Sequence, residues 1–365
     1  MKNTFGTCVT MTLFGESHGP GLGIVLDGLA PGIPVDRDYI DHQLTLRRPS
    51  GAISTARQEP DRYEILSGVF EGRTTGTPLC ILIPNTQTQS RDYAATRSLA
   101  RPGHADYTAH CKYHGFEDYR GGGHFSGRIT AALVAGGAIA LTALKQKGIV
   151  LATHIARCGG VQDRGFESLA EDIEVLNEKT FAVLDEARGG EMEQAILAAA
   201  REGDSLGGVL ETAVVGLPAG VGEPWFDTLE GVLSHALFSI PAVKGVEFGD
   251  GFALSDLTGS RANDSFFIQD GQVRTRTNHN GGVNGGITNG MPLVFRCAVK
   301  PTPSIYLPQQ TVDFFKGQDA ELTLQGRHDP AIVHRARVVA DSVTALALCD
   351  LLAGRFGTDY LGGGL

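Results

Sequence analysis

The sequence predicts an α+β fold built as one domain over residues 1–365. Two observations carry that reading. Short runs rich in β-branched and apolar residues are interleaved with stretches whose apolar residues recur at helical spacing. No linker-like run or shift in composition divides the chain, and 365 residues can form one large domain. A third observation concerns loops. The 49 glycines cluster at 121–123, 281–282, 285–286 and 362–364. That spacing excludes a collagen-like repeat and marks places where backbone comes close to something.

In chain order, residues 5–14 (FGTCVTMTLF) read as a strand and Gly21 to Leu26 as a second. GESHG at 15–19 is then a hairpin tip: either a plain turn or a place that presents polar side chains to a ligand. Asp36 caps a helix through Tyr39, Ile40, Leu44 and Leu46. It ends at Arg47-Arg48-Pro49, where arginines also suit the helix dipole. Tyr63 to Phe70 and Pro78 to Pro84 read as a hairpin about an RTTGTP turn, followed by polar loop over 85–100. A helix spans Ala105 to His114. The near-apolar run Ile129 to Leu144 is a buried helix starting near Ser126, too short for a membrane span of about 20 residues.

Residues 149–158 read as a strand, 170–205 as helices with Glu191 to Arg201 amphipathic, and Leu210 to Leu217 as a strand. Leu229 to Ile240 is a helix and Val246 to Phe252 a strand. Residues 259–290 are polar and glycine-rich, so they are expected to be disordered or wrapped on a ligand. Met291 to Val299 is a strand, and a long apolar-periodic helix runs from Ala331 to Phe356.

The chemistry concentrates between Arg101 and Thr130. This stretch holds four of the eleven histidines (His104, His110, His114 and His124) with Arg101, Arg120 and Arg128. Imidazoles, guanidinium groups and bare backbone suit a site that binds an anion and moves protons. The glycines ahead of Ser126 at a helix start are a candidate phosphate cradle. His110 and His114 have the i,i+4 spacing of helical metal ligands, but neither an HExxH context nor a matched cysteine accompanies them, and no metal is assigned.

The net charge of −10 argues against a nucleic-acid partner, yet it leaves room for a locally basic pocket. The six cysteines stand singly, and the opening MKNTFGTC has no apolar signal region. Reduced thiols, a cytoplasmic location and no membrane anchor are therefore expected. An NAD-dependent oxidoreductase would show a strand–GxGxxG–helix, which is missing. A non-catalytic anion binder would not need histidines at 18 and 104.

Taken together, the motifs make the chain resemble the chorismate synthase family. The carriers are GESHG at 15–19, RRPSG at 47–51, RPGHADYT at 101–108 and DYRGGGHFSGR at 118–128. SIPAVKGVEFGDGF at 239–252, NHNGGVNGGITNG at 278–290, KPTPS at 300–304 and GRHDP at 326–330 follow in the family's order. The resemblance implies a β–α–β sandwich, a homotetramer, and conversion of 5-enolpyruvylshikimate 3-phosphate to chorismate by 1,4-elimination of phosphate. The reaction is redox-neutral but requires reduced FMN.

The resemblance also implies residue roles. His104 would protonate the reduced flavin and His18 the departing phosphate, with Asp329 beside the flavin and Ser17 in the catalytic set. Arg48, Arg128 and Arg335, with Arg47 as a neighbour, would bind the substrate's phosphate and carboxylates. His124, Phe125, Ser126, Pro241, Ala242, Gly285, Lys300, Pro301, Thr302, Pro303, Ser304 and Arg327 would hold the flavin. Relatives often read GGGRSSGRET where this chain has GGGHFSGRIT, and they carry an arginine beyond RRPG for which Arg57 is a candidate replacement. Members that reduce their own flavin with NADPH are often longer; the compact length here favours an external supply.

Overall fold

The computed structural model describes residues 2–55, 60–86, 97–324 and 328–362. Two five-stranded antiparallel sheets face each other across a layer of helices, a β–α–β sandwich. The first sheet orders its strands Thr4–Phe5, Thr10–Gly15, Gly21–Asp27, Leu79–Pro84, Glu64–Ser67. The second orders Val243–Phe248, Leu293–Val299, Gly208–Val215, Val150–Cys158, Val161–Gln162. The helices are α1 (Arg37–Arg47), α2 (Asp106–Tyr113), α3 (Thr130–Gln146), α4 (Leu169–Glu178), α5 (Glu186–Arg201), α6 (Leu229–Leu237), α7 (Gly259–Ala262) and α8 (Val333–Phe356).

Helix α3 lies on the first sheet, α8 on the second, and the two pack on each other. A helix covered on every side has no solvent face to keep polar, which is why every residue from Thr130 to Ala140 is buried. The crossing is close: a Cβ added at Gly137 would stand 2.3 Å from the Cβ of Ser342. Strand Val150–Cys158 shows the period of two. Leu151 and Ile155 join the central core and Thr153 donates to Asp341 of α8, whereas Ala152 turns to Ile173 and Leu176 of α4.

Several expectations match closely. Asp36 caps α1, its carboxylate accepting from Tyr39 N at 3.1 Å. GESHG links two paired strands. Ser126 caps a short turn, Gly127–Ile129, that feeds α3. Others are corrected. The first strand is broken after Phe5, because the carboxylate of Asp350 collects the amides of Thr7, Cys8 and Val9 at 3.0, 2.6 and 2.9 Å. Of the two alternatives for residues 259–290, disorder is overturned. Asp264 accepts from Thr277, His279 and Asn280, and two small hairpins, Phe266–Gln269 with Gln272–Thr275 and Val283–Asn284 with Ile287–Thr288, satisfy much of the remaining backbone.

Candidate active site

A cavity of about 790 Å³ opens where α1, the glycine loop, α3, α6 and α8 converge. Its walls carry Lys2, Arg47, Arg101, Arg128, Arg335 and Lys300 against the carboxylates Asp61 and Asp329. A chain of net charge −10 thus encloses a basic pocket, which concentrates anions locally. Apolar side chains line it as well, among them Phe5, Met11, Leu13, Leu133, Phe238 and Val339.

The basic end is a network centred on Asp61, whose side chain is fully buried. Arg47, at the end of α1, reaches it through Nη1 at 3.3 Å. The rest of that guanidinium donates to Thr130 Oγ1 at 3.0 Å and to the carbonyls of Gly127 and Arg128 at 3.0 and 3.3 Å. Arg128 pairs with Asp61 through Nη1 and contacts Asn85 Oδ1 at 3.3 Å through Nε. Arg48 Nε stands 3.8 Å from the same carboxylate. Arg335 in the first turn of α8 pairs with Asp329 at 2.6 Å and donates to Arg47 O at 2.9 Å. Asp329 also accepts from Thr55 N at 2.9 Å.

His104 lines the cavity, held by Asp106. Its Nδ1 lies 2.9 Å from Asp106 Oδ1, and Arg101 braces the same carboxylate at 2.6 and 2.7 Å. Burial alone would raise the Asp106 carboxyl, but the hydrogen bonds from Arg101 and His104 outweigh it and hold it well below the usual range. Arg101 Nη2 also lies 3.0 Å from Nδ1, but an ionised carboxylate only accepts, so guanidinium and Nδ1–H both donate to Asp106 and His104 keeps Nε2 for proton exchange.

The triple glycine packs closely against side chains of the site. A Cβ on Gly121 would fall 2.2 Å from His18 Cε1 and 2.8 Å from Ser17 Oγ. One on Gly122 would fall 3.1 Å from His104 Cε1. Both glycines have positive φ, 59° and 82°. The loop is bare because two imidazoles press against it.

The residues singled out from the sequence fall into three groups. Arg47, His104, His124, Phe125, Ser126, Arg128, Pro241, Ala242, Lys300, Thr302, Pro303, Ser304, Asp329 and Arg335 line the cavity. Ala242 does so at φ 75°, an unusual conformation for alanine. Ser17 and His18 do not line it. They are buried behind Gly121, joined by a 3.0 Å contact between Ser17 Oγ and His18 Nδ1. Arg48, Pro301 and Gly285 are also not among the lining residues, Gly285 sitting in the turn of a hairpin. Arg327 and Arg57 lie outside the described residues. His110 contacts Glu117 at 3.3 Å and packs on Phe314 and Phe315, and His114 ends α2. Among the described residues no group of three His, Cys, Asp or Glu is placed to hold a metal ion.

Sequence reasoning missed Asp61, Asp106 and the N-terminal wall at Lys2–Phe5. The HAD spacing was a readable signal for Asp106, since a carboxylate two residues past a histidine can reach its ring. No local pattern marks Asp61, whose three arginine partners come from two distant segments.

The family model for chorismate synthase matches residues 9–353. The chain is similar to the chorismate synthase of Pyrococcus abyssi, 47% identical over 350 residues, covering 96% of this chain and 97% of the relative. It is similarly close to that of Dehalococcoides mccartyi strain BAV1, 47% identical over 352 residues and covering 96% of each. A chorismate synthase crystal structure superposes with a TM-score of 0.76 at 29% identity, covering 97% of this chain and 94% of that one.

Proposed function

This chain belongs to the chorismate synthase family, and from that premise we propose how its cavity works. The protein is a phosphate lyase of aromatic amino-acid biosynthesis that forms chorismate from 5-enolpyruvylshikimate 3-phosphate. The observation that carries the proposal is the pairing of a basic end with an apolar wall in one cavity lined by His104.

Arg47, Arg128 and Arg335 are read as the groups that bind the substrate's phosphate and carboxylates, bidentate guanidinium geometry being suited to both. Arg48 adds positive charge from one layer out. FMN is the proposed cofactor, and the cavity fits it on two counts. Its volume lies within the usual range for small-molecule sites, about 300–1,000 Å³, and apolar walls for a ring system stand beside cations for a phosphate. Phe125, Ser126, Pro241, Ala242, Lys300 and Thr302 to Ser304 would hold it. When bound, reduced FMN supplies the electron density that the C–O cleavage needs.

The chain's own residues would orient the substrate, exclude water and manage protons. His104 exchanges a proton through Nε2, its Nδ1–H being fixed by Asp106. His18, its Nδ1 tied to Ser17, is read as the donor to the departing phosphate; it lies one layer behind Gly121, and such hydrogen bonds often tighten only when substrate is bound. Asp329, tied to Arg335, is read as the carboxylate that manages a proton inside the cavity. We also read the protein as a cytoplasmic homotetramer that takes reduced flavin from outside.

The test is anaerobic turnover of 5-enolpyruvylshikimate 3-phosphate with dithionite-reduced FMN, with and without NADPH. Product is expected with reduced flavin, and NADPH with oxidised FMN should not replace it. His104→Ala and His18→Ala should each slow turnover by roughly 10²–10⁴-fold, as expected for loss of a general acid, without unfolding the protein. A near-normal rate in either variant removes that residue from the mechanism.

A further inference from the structure

We propose that Asp61 is an internal occupant of the phosphate receptor, a carboxylate that holds down the cavity's affinity for inorganic phosphate and so favours release of that product. The inference rests on reading the arginine cluster as the phosphate site.

Four observations converge on this residue. Asp61 is among the residues that line the cavity. Its side chain is nonetheless fully buried. It contacts three guanidinium groups, those of Arg47, Arg48 and Arg128, two of which line the same cavity. Its backbone is left-handed, φ 48°, a conformation uncommon outside glycine and held only where the surroundings fix it.

An anion that binds Arg47 and Arg128 meets the negative charge of Asp61 at the same donors. At these separations, in a half-dry pocket, like charges oppose each other strongly. The carboxylate therefore does two things. Without ligand it neutralises part of a dense positive cluster that would otherwise be buried uncompensated. With ligand it sets a penalty on any small anion whose only attraction is its charge. The full substrate, with two carboxylates and a carbon skeleton, has further contacts to offset that penalty; free phosphate does not.

The alternative is that Asp61 is only a strut keeping the arginines in place. The two ideas predict opposite signs. Removing a competitor tightens phosphate binding, whereas removing a strut loosens it.

The probe is inorganic phosphate, titrated calorimetrically into the full-length protein in a phosphate- and sulfate-free buffer. Asp61→Asn keeps the shape and discards the charge, and should bind phosphate more tightly by on the order of tenfold. Unchanged or weaker binding overturns the inference. Asp61→Gly guards against misfolding of the first variant, since glycine adopts positive φ without strain. For both variants the rise in melting temperature on adding phosphate should exceed that of the parent protein, because a ligand that binds only the native state stabilises it in proportion to its affinity. An equal or smaller rise counts against the inference, as does failure of both variants to fold even in excess phosphate. Arg128→Ala separates this inference from the reading beneath it. If that variant loses phosphate binding while Asp61→Asn gains none, only the role of Asp61 falls. If it binds phosphate as the parent does, the assignment of the cluster falls.

Discussion

Gly121→Ala tests the most specific contact of the site, the one between the glycine loop and His18. The new methyl carbon would be built 2.2 Å from His18 Cε1, 2.3 Å from Nδ1 and 2.8 Å from Ser17 Oγ. No Cβ tolerates such distances, so the imidazole must leave its place. Two costs add. Alanine at φ 59° costs roughly 1–2 kcal/mol through its left-handed backbone. Displacing His18 breaks its buried 3.0 Å contact with Ser17, worth about 1 kcal/mol, more if a polar group is left unpaired. The expected destabilisation is about 2–4 kcal/mol. If His18→Ala comes first, the imidazole clash is gone; the backbone cost of about 1–2 kcal/mol remains, with a lesser adjustment of the rotatable Ser17 hydroxyl, 2.8 Å away. Urea denaturation of the parent, both single variants and the double variant closes the cycle. A coupling of about 1–2 kcal/mol is expected for residues in direct contact. Turnover should follow the same logic: Gly121→Ala as slow as His18→Ala, and the double variant no slower than either. If Gly121→Ala costs the same in both backgrounds, the loop is not bare on account of His18.

Two further outcomes follow from the geometry. Asp106→Asn should lower anaerobic turnover by roughly 10–10²-fold, because the neutral amide no longer fixes the proton on Nδ1 of His104, while circular dichroism stays that of the parent; an unchanged rate would detach Asp106 from His104. The second concerns acid stability. Burial, with Arg335 nearby, pushes the His334 imidazole down to about 4, against an ordinary value of 6.5. As pH falls below 6.5 the unfolded chain takes a proton that the native protein refuses until about 4, so stability is lost across that window by on the order of 3 kcal/mol. His334→Gln should remove this component from the pH dependence of denaturation, and identical slopes in variant and parent would show that His334 is not its source.

The parts of the molecule legible from the letters are those whose physics is local. Asp36 announced α1 because a carboxylate caps the amide three residues on. GESHG read as a hairpin tip because apolar strands flank it, and α3 as a buried helix because nothing in it needs water. What failed depends on residues far apart in the chain. The break after Phe5 is imposed by Asp350, and no window of the sequence contains both. Residues 259–290 gain order from one carboxylate, Asp264, which accepts from Thr277, His279 and Asn280 well along the chain. The letters marked the triple glycine by its place ahead of a helix start; only the folded chain adds that imidazoles fill the space a side chain would need at Gly121 and Gly122. Asp61 was invisible for the same reason, as its arginines arrive from 47–48 and from 128.

The close crossing of α3 and α8 has a consequence at a distance. Arg128 stands just before the start of one helix and Arg335 in the first turn of the other, while the helices touch backbone-to-side-chain at Gly137 and Ser342. Helix α3 runs from Thr130 to that point, about 10 Å along the axis, with Arg128 in the turn just before it. The crossing acts as a fulcrum: any bulk inserted there spreads both arms, and with them the guanidinium groups that must meet one ligand. A position with no polar atom to offer is thereby bound to the chemistry through leverage, and random mutagenesis should recover inactive but folded proteins altered there as well as at the cavity wall.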